Sequence, residues 1–365
     1  MADAHPASSP WLTLEAGGNR LVLDPALGNL RALELDWDGR RISPLATAPW
    51  VARGEPVPED LPPVERQLAG DFLCAPFGAS DVEEAPPHGH PANSAWTLGA
   101  SEGALSLVLD RSVMGASVSK RLALSPEAPL LYQVHEVSGG QGGLTLAHHP
   151  MVHMAAGGRM TVSPKRVALT TAPPLEPGRN RLLCPAESAD LAQFPAAEGG
   201  TLDLGHLPIG TGTEDFVTLV EAEGRDLGWT AILRAAEDDI VFFLKDPAVL
   251  SVTMLWHSNA GRDYPPWSGR HTGVLGVEDG IAAGALGHAA ALGDNPIART
   301  GVPTHLPLAQ GHTHRIAHVT GAIPRPPGWT AVAEILAAAD HLRLTDISGD
   351  TCDLPFDGAF LRGES

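Results

Sequence analysis

The stretch VSKRLALSPEAPLLYQVHEV, residues 118–137, decides the fold class. It holds two runs in which apolar and polar side chains alternate, residues 118–124 and 131–137, with a proline-punctuated break between them. Alternation sends successive side chains to opposite faces of an extended chain, so each run reads as a strand with one covered face. The short break reads as a hairpin turn rather than a crossover helix. The same pattern recurs outward, at residues 11–15, 20–23, 30–37 and 105–109 before it. It continues at 216–221, 229–234, 240–244, 250–256, 273–277 and 316–320 after it. Runs this numerous exceed one small barrel and predict two large stacked antiparallel sheets, an all-β sandwich with residues 1–365 as a single domain.

One segment departs from the pattern. Residues 330–340 carry Val332, Ile335, Leu336 and Ala339 at helical spacing after the breaker Pro326-Pro327-Gly328, which predicts a short C-terminal helix packed on the sandwich. The proline-rich stretches 49–63 and 173–185 predict long surface loops, because each proline removes a ladder donor. The tail DTCDLPFDGAFLRGES, residues 350–365, reads as polar and peripheral, with Cys352 an incidental thiol.

Composition narrows the function. A hydrophobic share of 43 % fills a core, and the 40 glycines follow no three-residue period, so disordered and collagen-like chains are excluded. Lys and Arg number 24 against 43 Asp and Glu, a net charge of −19 that repels phosphate backbones and anionic lipid heads, so neither nucleic acid nor a membrane surface is an expected partner. No run approaches the roughly 18 apolar residues of a spanning helix. The opening MADAHPASSPW lacks the basic tip and apolar block of a secretory signal. Cys74, Cys184 and Cys352 are odd in number and far apart, which argues against a disulfide framework and makes a reducing cytoplasm the expected location.

The residues that can carry chemistry are scattered. GDFLCAPFG, residues 70–78, contains Asp71 and Phe77, and HGHPANSAW, residues 88–96, sets the His88 imidazole on a constrained loop and offers Trp96 as a flat apolar face for a sugar ring. His149 directly precedes Pro150. Glu278 ends an apolar run between Gly276 and Gly280, where a carboxylate can be lowered into a cleft as a general base. Just before it, LWHSNAGRDYPPWSGRH, residues 255–271, is dense in sugar-compatible groups. Trp256, Tyr264 and Trp267 can stack on pyranose faces, and His257, Arg262 and Asp263 can bind hydroxyls. Each of these has a plainer reading as a packed or solvated side chain.

Taken in order, Pro76-Phe77-Gly78, His88-Gly89 with Trp96, His149-Pro150 and Glu278 resemble the aldose 1-epimerases, or galactose mutarotase-like proteins. LVLDPALGNLRALEL looks like that family's opening hairpin and LPLAQGHTHRIAHV like its closing segment. The resemblance implies the galactose mutarotase-like supersandwich and an isomerase that opens and recloses the hemiacetal of a small, unphosphorylated carbohydrate. Glu278 would be the base, His149 the acid, and His88 a hydrogen-bond donor to the ring oxygen, with base and acid on opposite sides of the sugar. No metal or organic cofactor is required, and a monomer or homodimer is expected. Two departures bear on specificity. Galactose mutarotases carry an Asn-Arg pair after the Pro-Phe loop, where this chain has Gly78, Ala79 and Ser80, and the arginine of hexose-6-phosphate epimerases is replaced by Ala92.

Two other classes compete. His-x-His pairs at His88/His90 and His312/His314 allow a metal-dependent sugar isomerase, although the glutamate a cupin places shortly after such a pair is missing. A non-catalytic carbohydrate-binding or sensor protein on the same scaffold would keep the aromatic platforms without the acid-base set. Glu214 and Asp215 are adjacent on a strand, face opposite ways and cannot flank one bond, so they read as surface or capping charges.

Overall fold

The computed structural model describes residues 11–363; the opening segment on which the signal-peptide reading rests, residues 1–10, lies outside the described residues. The deciding stretch forms the expected hairpin. Ala116–Leu124 pairs antiparallel with Leu130–Leu144, with Val118 opposite Val137 and Leu124 opposite Leu131.

Two large antiparallel sheets result. The first has eight strands, running Ala186–Ser188, Lys165–Thr170, Thr213–Glu221, Val252–Asn259, Val274–Ile281, Leu146–His148 and Leu73–Cys74, with Met151–His153 also paired to Val274–Ile281. The second has nine, centred on Asp239–Lys245, Leu306–Pro324 and Leu130–Leu144. Between them lies the main core, where Val217, Leu219, Leu255, Leu275 and Val277 of the first sheet meet Ile232, Val241, Phe243 and Ile316 of the second. Among the described residues no helix is long and apolar enough to cross a membrane.

The first sheet is covered on its other face as well. Trp50, Val64, Leu68, Phe72 and Phe77, from the segments preceding and following its short edge strand, pack there with Met254, Trp256 and Trp267. This explains a correction: the stretch 49–63 is not merely a surface loop, since it begins with the short helix Pro49–Ala52 and buries Trp50.

The second sheet is likewise covered on its outer face by the C-terminal strands Val332–Ala337, His341–Asp346 and Thr351–Pro355. Residues 330–340 are therefore a strand in place of the expected helix. The cause is a β-bulge between Val332 and Glu334, which adds one residue to that side of the ladder. Val332 and Ile335 both end up buried at a spacing of three, while Leu336 points to solvent. The tail is less peripheral than expected, because Leu354, Phe356, Phe360 and Leu361 join this outer cluster.

Strand parity positions the chemistry. On Val274–Ile281, Leu275 and Val277 face the main core and so does Asp279, whereas Val274 and Glu278 face the loop-covered side. Inside the sandwich Asp279 belongs to a closed charge cluster. Lys245 Nζ lies 2.8 Å from Glu221 and 2.9 Å from Asp279, Lys165 also pairs with Glu221, and His318 Nε2 lies 3.0 Å from Asp279. His148 stacks on His318, so it too faces inward and leaves its neighbour His149 on the opposite side.

Candidate active site

Register brings His149 to Glu278. Ala147 pairs with Gly280 and Met151 with Gly276, so the residue midway between 147 and 151 lies across from the residue midway between 280 and 276. His149 Nε2 stands 3.1 Å from Glu278 Oε1, and both side chains are buried. Gly276 makes room for the carboxylate, since a Cβ there would come within 2.8 Å of Glu278 Oε1. The backbone N–H of His149 donates to the carbonyl of Phe72 and to Asp71 Oδ1, each at 3.0 Å, and the imidazole stacks on the Phe72 ring. The expectation that acid and base stand apart on opposite sides of a sugar is corrected here, because the two groups touch.

His88 completes the set. Its ring meets that of His149 edge-on with centroids 5.4 Å apart, and its Nδ1 lies 3.2 Å from the Cys74 sulfur. The loop is pinned tightly: Gly89 has φ of 73°, and a Cβ at that position would lie 1.8 Å from the carbonyl oxygen of Ala75. Only glycine fits such an approach.

His88, His149 and Glu278 open into a cavity of about 250 Å³. Phe72, Phe77, Phe216, Trp256 and Trp267 supply aromatic walls, and Leu175 stands half-exposed at its margin. Arg262 also lines it, its guanidinium carbon 4.4 Å from the Trp267 ring centre and 5.5 Å from that of Trp256. Arg262 Nε lies 3.3 Å from Glu176 and 3.4 Å from Glu214. Glu65 reaches the same cavity from the short helix Pro63–Arg66.

Burial dominates the electrostatics. It raises the Glu278 carboxyl well above the usual carboxylate range. It lowers His149 well below the usual histidine range, and His88 adds to the effect. His88 itself is brought down to about 4, first by burial and then by the Arg262 charge. Glu214 is pushed up to about 7 by burial, against the pull of Arg262 and of hydrogen bonds donated by Trp256 Nε1 at 2.7 Å and Ser258 Oγ at 3.2 Å.

The remaining expected residues divide. Phe77, Trp256, Trp267 and Arg262 line the cavity. Asp71 lies beneath it, holding the His149 backbone and accepting from the Gln133 amide at 2.8 Å. Tyr264 is exposed and donates its hydroxyl to Glu176 at 2.7 Å. Asp263 is exposed and pairs with Arg179. Two assignments fail. Trp96 is a core residue, its indole donating to the Pro91 carbonyl at 3.0 Å and its ring covered by Lys120. His257 occupies the strand face opposite Trp256, where it lines a second cavity with Met154 and Leu207.

Glu214 and Asp215 also differ from expectation. They face opposite ways, yet both are buried: Glu214 beside Arg262, Asp215 accepting from the backbone N–H groups of Arg181 and Leu182. Among the described residues no group of three His, Cys, Asp or Glu side chains is arranged to hold a metal ion.

The fold is that of the aldose 1-epimerase and galactose mutarotase-like proteins. A protein from Escherichia coli K12, named provisionally as an aldose 1-epimerase, superposes with a TM-score of 0.57 at 17 % identity, covering 86 % of this chain and 98 % of its own. A galactose mutarotase-like protein from Lactobacillus casei gives 0.56 at 13 % identity, covering 86 % and 100 %. The Slr1438 protein of Synechocystis gives 0.56 at 13 %, covering 89 % and 100 %. No family model matches the sequence, and no curated protein matches it.

Proposed function

We propose that this cavity binds an unphosphorylated aldose and interconverts its anomers by acid-base ring opening. The observation that carries the reading is the direct contact of His149 with Glu278 at 3.1 Å on the wall of an aromatic cavity. The anomeric hydroxyl and the ring oxygen are bonded to the same carbon, so a base and an acid that adjoin one another can serve both. Glu278 takes the proton from the hydroxyl as His149 gives one to the ring oxygen, and the C–O ring bond breaks. After rotation of the aldehyde the transfers reverse and the ring closes. His88, adjacent to His149, donates a hydrogen bond to the ring oxygen.

This scheme needs one proton shared by the pair. Burial favours it on Glu278 in the empty cavity; it passes to His149 as the sugar binds, leaving Glu278 ionised to act as the base, and returns to Glu278 as the ring opens. Burial opposes a second proton by lowering His149 and opposes loss of the last by raising Glu278. A kcat/KM profile with one acid and one alkaline limb is therefore the expected result. Its acid limb lies below 6.5, the ordinary histidine value, and its alkaline limb lies above 4.5, the ordinary carboxylate value. A narrow bell with its acid limb above 6.5 would contradict the one-proton pair.

Polarimetry of freshly dissolved aldoses tests the activity itself. Screening a panel of hexoses, pentoses, deoxysugars and uronic acids should reveal at least one neutral sugar whose equilibration the protein accelerates at catalytic concentration. If none is accelerated, the enzymatic reading fails.

A further inference from the structure

A sugar seated beside His88, His149 and Glu278 needs further groups to hold its hydroxyls, and among the described residues the other charged side chains lining the cavity are Glu65 and Arg262. Resting on the sugar-binding reading above, we propose that Glu65 and Arg262 form this hydroxyl clamp and make the site selective for neutral aldoses over uronic acids and sugar phosphates. Both residues line the cavity that contains His88, His149 and Glu278.

Both are also held in place without being used up. The segment bearing Glu65 is fixed from outside, with Trp50 Nε1 donating to the Glu65 carbonyl and the Val64 N–H donating to Asn93 Oδ1, each at 3.0 Å. Its carboxylate has neither a hydrogen bond nor an ion pair among the described residues; burial raises it from the ordinary carboxylate value, and the Arg262 charge pulls the other way. Arg262 is clamped by ring faces rather than by directed bonds, and its Nε, close to Glu176 and Glu214, has no aligned acceptor.

Their chemistry is complementary. An ionised carboxylate only accepts and a guanidinium only donates, whereas a hydroxyl does both. Two neighbouring sugar hydroxyls can thus donate to Glu65 and accept from Arg262, while the Trp256 and Trp267 faces cover the C–H side of the ring. An anionic substituent fares worse. Among the described residues Arg262 is the one lining side chain with a permanent positive charge, and Glu176 and Glu214 already lie beside it, while Glu65 and Glu278 add further carboxyls. A carboxylate or phosphate would meet like charge without a free cation to receive it.

The test is a tryptophan-fluorescence titration, which Trp256 and Trp267 report, run beside NMR anomer exchange. Wild type, Glu65→Gln and Glu65→Asp are titrated with a neutral hexose, the matching uronic acid and the hexose 6-phosphate. Glu65→Gln should weaken binding of the neutral sugar about tenfold or more, with KM rising and kcat nearly unchanged, and should narrow the preference over the uronic acid. Glu65→Asp should recover part of the loss. Unchanged affinity in Glu65→Gln, or equal wild-type binding of the uronic acid, overturns the clamp. Glu65-dependent binding without accelerated exchange leaves the clamp standing and removes the epimerase reading. Accelerated exchange indifferent to Glu65 does the reverse, and no binding of any sugar overturns both.

Discussion

Replacing Glu278 with glutamine is expected to reduce anomer exchange by about 10²- to 10⁴-fold, the usual worth of a positioned acid-base group. The amide preserves the volume of the side chain in the space left by Gly276, and it can still donate to His149 Nε2. It cannot take a proton from the anomeric hydroxyl. Folding should hardly change, because burial already drives the native carboxyl toward its uncharged form, which the amide mimics. The paired measurements are two-dimensional NMR exchange spectroscopy and thermal unfolding. A folded variant with wild-type exchange rates would remove Glu278 from the mechanism.

The largest expected effect on stability comes from the opposite face of the same strands. Lys245 is fully buried, with its ammonium donating to the Val252 carbonyl at 2.6 Å and to Thr253 Oγ1 at 2.8 Å, and pairing with Glu221 and Asp279. Lys245→Met keeps the stem but leaves two buried carboxylates short of a cation, which costs about 3–5 kcal/mol. Urea unfolding of wild type and variant reads this directly, and a loss below about 1 kcal/mol would show that the cluster relaxes freely. The cluster also makes stability depend on acid. Asp279 is depressed below its ordinary 3.8, with Lys245 and the hydrogen bond from His318 outweighing burial. Its contribution is complete above 3.8 and is lost as the pH falls through the lower folded value, so wild type should lose more stability in that range than Lys245→Met.

How much of this was legible in the sequence depended on which signal carried each part. The sandwich was legible because one-face burial writes a period of two, as along Ala116–Leu124. The misread segment 330–340 shows the limit of periodicity: a bulge at Val332–Glu334 gives a strand the spacing of a helix. Glu214 and Asp215 show another. Parity correctly turned them to opposite faces, but it does not say that both faces of Thr213–Glu221 are covered, and there both acids are buried. Phe72 and Leu175 come from irregular segments and Glu65 from a helix of four residues, none of which is long enough to show a period. His149 and Glu278 are singled out by a resemblance in motif order, and their contact follows from the register of Val274–Ile281 with its two neighbours, which sequence alone does not fix. Trp96 was misplaced because a tryptophan suited to stacking on a sugar is equally suited to a core.

In the proposed reaction the His149–Glu278 contact is an acid-base pair acting on the anomeric centre. NMR exchange between the α and β anomers of an unphosphorylated aldose, at equilibrium and with substoichiometric protein, tests it most directly. Cross-peaks between the two anomeric protons should build up far faster with wild type than in buffer, and should return to the buffer rate with His149→Gln or Glu278→Gln. A sugar that binds in the cavity while its anomers interchange no faster than in buffer would contradict the account.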